Sequence, residues 1–207
     1  KLAHKLRHWL LSMTGGNPAF LKAMATNALD VSPPLGKIRD FITDEDPKHP
    51  GSIDLKKFGA RLFVDAARVL SLRTGVDATS TVQRLRQGGS RIGMPAEELS
   101  AMADGFHFIQ LLRLRHQHLD TDHGAPGDNR VKPDDLNELD RRILKEAFRQ
   151  ARKIQLRLKL DYQIGTGSPD SCPAAARASV PSNKPASRPS QPCPPAIPAA
   201  RTTKPAT

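Results

Sequence analysis

FHFIQLLRLRHQHLDTDH, residues Phe106 to His123, begins like the buried helix of a core and ends as a polar run. Gln110, Arg113 and Gln117 follow one another at i, i+3 and i+7, so on a helix they share one narrow face. Phe108, Leu111, Leu112 and Leu114 cover the remaining faces, which predicts a central helix, apolar over most of its circumference. Such a helix must find partners for its polar stripe. A buried donor left without an acceptor costs about 1–3 kcal/mol.

A second stripe stands upstream, in KKFGARLFVDAARVLSLRTG. Lys57, Arg61, Asp65 and Arg68 recur at i, i+4, i+8 and i+11, with Asp65 in reach of either arginine. Two readings compete. The stripes are solvated faces or internal ion pairs that hold helices in register, as charge runs on helices usually are. Alternatively they line a basic groove between helices, where guanidinium forks hold an anionic group bidentately.

The rest of the chain reads as helices around these two. Leu2, Leu6, Trp9, Leu10 and Met13 recur at helical spacing in a first amphipathic helix, which GGNP stops. Asn17 is placed to cap the next helix, with Pro18 at its first position. After SPPLG, Ile38 to Thr43 and Ser52 to Leu55 alternate like a small β-hairpin around DPKHPG. Gly75 is the expected C-cap of the Lys57–Arg68 helix, Thr79 or Ser80 caps TSTVQRLRQGG, and Pro95 opens the helix that runs to about Leu119. Asn137 or Asp135 caps the last helix, with Leu139, Ile143, Ala147, Ile154 and Leu158 as its apolar stripe. The expected fold is all-α: a helical bundle, one small β-hairpin and a tail.

That tail, residues 163–207, turns to Pro, Ala, Ser and Thr and holds ten of the 18 prolines. Without apolar periodicity it cannot bury enough surface to offset its ordering entropy, which predicts disorder. Four of the formal +11 charges belong to it, Asp170 standing against Arg177, Lys184, Arg188, Arg201 and Lys204; seven remain on the rest. That surplus fits an anionic partner. Both cysteines, Cys172 and Cys193, lie in the tail, so the core carries no disulfide, as expected of a reducing cytoplasm. No apolar run approaches the roughly 20 residues of a membrane span. KLAHKLRHWLLSM is too polar for a signal peptide. The opening Lys1 in place of Met raises the expectation of a segment upstream.

Metal and catalytic chemistry find little support. His4 and His8 stand at i, i+4, and HQHLDTDH offers His116, His118, Asp120, Asp122 and His123, but neither group brings a third ligand at a diagnostic spacing. A solvated helix face and a polar helix end are the plainer readings. There is no Gly-rich phosphate loop, no GxSxG and no core cysteine. The Gly88–Ser90 run GGS is followed by RIGMP, with no acid before Glu97, so it lacks the paired aspartates that a nucleotidyltransferase needs for magnesium.

GSIDLKKFGARLFVDAARVLSL, TSTVQRLRQ, FHFIQLLRLRHQ and ELDRRILKEAFRQARKIQLRL follow in this order over roughly Asn17 to Leu160. In that order and spacing they resemble the nucleotidyltransferase substrate-binding domain. This bacterial family is the C-terminal helical domain of proteins that carry CBS or cyclic-nucleotide-binding domains and a nucleotidyltransferase domain similar to protein-PII uridylyltransferase. NPAFLKAMATNAL and PPLG resemble the joint that follows the catalytic domain. Leu62 stands where the family's proline is expected, which implies a local difference at the start of that helix. The resemblance implies that residues 1–16 form a linker helix from an upstream catalytic domain and 17–162 the helical substrate-binding domain. It also implies that the catalytic aspartates, magnesium and nucleoside triphosphate belong to the upstream domain, with no cofactor in this chain. Lys57, Arg61, Arg68, Gln110, Arg113, His116 and Gln117 would then line the face turned toward that domain and its substrate.

Three functions stand open at this point. The chain positions a nucleotide or a PII-like acceptor protein for a uridylyltransferase-like enzyme, without catalysing transfer. Or it docks catalytic and CBS regulatory domains and binds no ligand. Or it binds nucleic acid, which ranks last: aromatic content of 4% gives no stacking platform, and the bases are spread over several helices.

Overall fold

The computed structural model describes residues 1–36, 41–43, 47, 49–122 and 128–165, the side chains of 119–122 excepted. Residues 166–207 of the tail lie beyond these residues, as do Ile38, Cys172 and Cys193, and the side chains of Asp120, Asp122 and His123.

Caps set the helix boundaries. Helix α1 spans Leu2–Gly15 and α2 spans Pro18–Ala28. Between them Asn17 Oδ1 accepts the Phe20 N–H at 3.0 Å, with Pro18 at the first helical position. Strand β1, Ile53–Asp54, leads into a π-helical turn, Lys56–Ala60, and then α3, Arg61–Thr74. The turn is closed by the Ala60 N–H on the Leu55 carbonyl at 2.9 Å, and Leu62 just beyond it is fully buried. Gly75 ends α3 at φ 67, ψ 31, a left-handed position that a side chain would strain. Helix α4 spans Thr81–Arg91, α5 Ala96–Asp122 and α6 Glu138–Asp161. Strand β2, Arg130–Val131, and a 3-10 turn, Pro133–Asp135, fill the connection before α6, where Asn137 Oδ1 accepts the Asp140 N–H at 2.8 Å.

The fold is therefore the expected helical bundle, with α3 packed on α4 and α6, and α5 on α4 and α6. Phe63, Leu70, Leu85, Met102, Ile109 and Phe148 form the centre of one core. Phe41 meets Phe148 edge-on at 6.1 Å between ring centroids, and Phe63 meets Phe106 at 6.0 Å. Gln155, buried on α6, donates to the carbonyls of Ala28 and Val31 at 3.0 and 2.7 Å, so the end of α2 is satisfied from within the bundle.

Three expectations need correction. The strand at Ser52–Leu55 does not pair with Phe41–Thr43; β1 pairs antiparallel with β2, Ile53 opposite Val131 and Asp54 opposite Arg130. Ile53 and Val131 are both buried, and that burial decides the pairing. The buried face of α6 is rotated from the expected stripe at its start. Leu144, Ala147, Phe148, Ala151, Ile154 and Leu158 are buried, while Leu139 and Ile143 are exposed. Helix α5 is one-sided rather than apolar all round: Ile109 and Leu112 are buried, but Leu111 and Leu114 are 45% and 63% exposed.

Candidate functional site

The two polar stripes meet. The face of α3 that carries Arg61, Asp65 and Arg68 lines one cleft with Gln110 and Arg113 of α5, and Asp54, Lys56 and Lys57 of the β1–α3 connection complete it. Its volume is ≈ 480 Å³, inside the range of about 300–1,000 Å³ typical of small-molecule sites. A hollow of ≈ 390 Å³ lies near Pro33, Pro34, Ile42, Ile53 and Phe58, and among the described residues no charged side chain lines it. The first gathers more charged side chains than this hollow or the cleft of ≈ 420 Å³ lined by Arg152 and Lys159.

Each acid of the cleft is already engaged. Asp54 Oδ1 accepts the N–H groups of Lys56 and Lys57, both at 2.9 Å, and so caps the π-helical turn. Asp65 is shared: Arg61 Nε reaches Oδ2 and Arg68 Nη1 reaches Oδ1, each at 3.1 Å. Because both arginines are well exposed, 44% and 53%, these pairs orient more than they stabilise. The Lys57 ammonium stands 4.9 Å from the centre of the Phe58 ring.

Arg113 is held differently. Its Nε and Nη2 donate to Asn129 Oδ1 at 2.9 and 2.6 Å, and its Nη1 to Gln110 Oε1. Gln117 Nε2 donates to the same Asn129 oxygen at 3.2 Å, while the Asn129 carbonyl accepts the Leu55 N–H at 2.9 Å. Among the described residues no carboxylate pairs with Arg113. Two neutral amides fix the guanidinium and leave its charge uncancelled. With Lys56, Lys57, Arg61 and Arg68 it outnumbers Asp54 and Asp65, so the cleft is net positive and suited to an anion.

The family described as "Putative nucleotidyltransferase substrate binding domain" matches residues 18–162, from the start of α2 to the end of α6. The chain belongs to this family. No curated protein and no solved structure gives a match.

Five of the seven residues singled out in the sequence, Lys57, Arg61, Arg68, Gln110 and Arg113, line this cleft of the substrate-binding domain. Gln117 is tied to it through Asn129. His116 is not brought in. It lies on the face of Ile109 and Leu112, at i+7 and i+4, half-buried and away from the stripe. Lys56, Asp54 and Asn129 were missed. A capping signal could have found Asp54, which stands two residues before the start of a helical turn. For Asn129 the loop sequence GDNR holds no signal that would join it to Arg113.

Among the described residues, no three His, Cys, Asp or Glu side chains gather as a metal site, and no helix is long and apolar enough to cross a membrane. His4 instead stands 3.7 Å from Asp77.

Proposed function

We propose that this substrate-binding domain holds an anionic substrate, a nucleotide's phosphates or an acidic acceptor, for a nucleotidyltransferase of the protein-PII uridylyltransferase type. Arg113 carries the proposal: a fixed guanidinium whose charge no described carboxylate cancels, set in a cleft of net positive charge. Lys57, Arg61 and Arg68 add exposed donors along the wall. Gln110 and Gln117 keep Arg113 oriented. In this reading the transfer itself, with its magnesium ions and nucleoside triphosphate, belongs to the linked catalytic domain. CBS or cyclic-nucleotide-binding domains regulate the assembly, a PII-like protein serves as an acceptor, and the whole works in the cytoplasm.

The test is calorimetric titration of the chain with tripolyphosphate and with UTP, repeated on Arg113→Ala and Arg68→Ala. Binding that weakens about tenfold or more in Arg113→Ala supports the reading, since one charge-assisted pair is worth about 1.5–3 kcal/mol. Equal affinity of wild type and both variants would sink it. A second measurement addresses transfer. Labelled UMP or AMP appearing on an acceptor with this chain alone and magnesium would overturn its non-catalytic role.

A purely architectural domain, joining catalytic and CBS domains without a ligand, is the second reading. It is favoured by the apolar side chains that α1 turns outward.

A further inference from the structure

Helix α1 is amphipathic with its apolar side exposed. Leu2, Leu6, Trp9, Leu10 and Met13 fall within an arc of about 100° on a helical wheel, yet Trp9 is 57% exposed and Leu2 82%. Its buried residue is Thr14, whose hydroxyl donates to the Leu10 carbonyl at 2.8 Å. Arg7 binds Asp77 at 3.1 Å from the other flank. The polar contacts that tie α1 to the bundle are those of Arg7 and His4 with Asp77, and Phe20 at the start of α2 is exposed as well. Five large side chains in one row form an apolar patch of a kind that monomeric surfaces rarely leave bare.

Spacing and charge narrow the occupant. Leu2, Leu6, Trp9 and Met13 are separated by four, three and four residues, the rhythm of a seam that pairs with another helix. No acidic residue occurs in α1, and Lys1, Lys5 and His8 run along one edge of the stripe. A second copy would bring like charges together, whereas a helix with acidic flanks would match. The stripe also precedes the family-matched residues 18–162. Location agrees with this. Helix α1 packs on α3, the helix that carries Arg68, with Gly15 close to the Leu72 carbonyl one turn beyond Arg68.

We propose that the exposed stripe of α1 is the seat of the linked nucleotidyltransferase domain, filled by an acidic-flanked amphipathic helix of that domain. The inference rests on the reading of this chain as the substrate-binding partner of such an enzyme. Docking there sets the catalytic domain beside the Arg68 end of the basic cleft, where the held substrate is presented.

The experiment uses the protein that carries this domain together with its nucleotidyltransferase domain, with Trp9→p-benzoylphenylalanine as photocross-linker. Irradiation is expected to join position 9 to an apolar residue on an acidic-flanked helix of the nucleotidyltransferase domain. Adding Leu6→Glu and Met13→Glu is expected to cut the yield about tenfold or more. Because both side chains are exposed in the bundle, the melting temperature of the isolated chain should stay unchanged. Cross-links to α1 of a second copy, to vesicles containing phosphatidylglycerol, or to nothing would each overturn the proposal. Arg113→Ala separates this from the cleft reading. Loss of tripolyphosphate binding with the cross-link intact leaves both standing, while a normal cross-link with no wild-type anion binding at all removes the cleft reading alone.

Discussion

Arg113 grips Asn129 with two of its nitrogens, at 2.9 and 2.6 Å, so a half-buried positive charge rests on a neutral amide. This pair makes the cleft's charge and its shape depend on one loop residue. Asn129→Ala removes the acceptor shared by Arg113 and Gln117, and about 1–2 kcal/mol of stability should go with it. Asn129→Asp should melt no lower than wild type, because the new pair is charge-assisted. It should nevertheless bind tripolyphosphate more weakly than Asn129→Ala does, since the carboxylate cancels Arg113. Melting curves and calorimetry on the two variants check both halves.

Asp65→Asn should act in the opposite direction on binding. The carboxylate occupies Arg61 and Arg68 together, and its loss frees two guanidinium groups. Tripolyphosphate should bind several-fold tighter. The stability cost should stay below about 1 kcal/mol, since such helix-surface pairs contribute a few tenths each. Weaker binding in this variant would show that Asp65 positions the arginines more than it neutralises them.

Gly105→Ala tests the contact between α5 and α6. A Cβ at Gly105 would lie 3.2 Å from Ala147 Cα and 3.3 Å from Ala147 Cβ, so the backbones themselves must part. A loss of about 1–3 kcal/mol is expected from overpacking, read as a lower urea midpoint. Since Arg113 lies further along α5, anion affinity should fall too.

Tyr162 is the only tyrosine, so its ionisation is visible without interference at 295 nm. Burial pushes the phenol's pKa up, opposed by the charge of Arg73, whose guanidinium lies 5.7 Å from the ring. The folded midpoint should therefore exceed the usual value of about 10. The sign for stability follows: the folded phenol holds its proton more tightly than the unfolded one. This contribution is fully present below pH 10 or so and is lost as the pH rises through the folded midpoint. A midpoint at or below that of free tyrosine would contradict the burial.

Much of this was legible because it is local. Asn17, Gly75 and Asn137 announce helix ends through their own backbone geometry, and the i, i+3, i+7 and i, i+4, i+8 spacings of the two stripes survive folding intact. What spacing cannot supply is the azimuth at which a helix meets its neighbours. Leu139 and Ile143 fit the apolar period of α6 as well as Leu144 and Phe148 do, and packing against α5 and Phe41 selects the second pair. Leu111 and Leu114 are apolar without being covered. In the cleft, Arg113 was visible as a donor in need of an acceptor, but Asn129 sits in a loop with no period. Likewise Val131 became a partner of Ile53 only through tertiary burial.

The short ladder between Ile53 and Val131 also dictates an order of events. Its two strands are two residues each, and all of α3, α4 and α5 lies between them in the chain. So few hydrogen bonds cannot offset the entropy of closing that loop until the three helices have already brought its ends together. Asn129, next to the ladder, reaches Arg113 only then. The bundle is consequently expected to assemble first and the basic cleft last. In the native protein the reverse motion, opening of the ladder, would dismantle the Arg113 site while the helices stay folded.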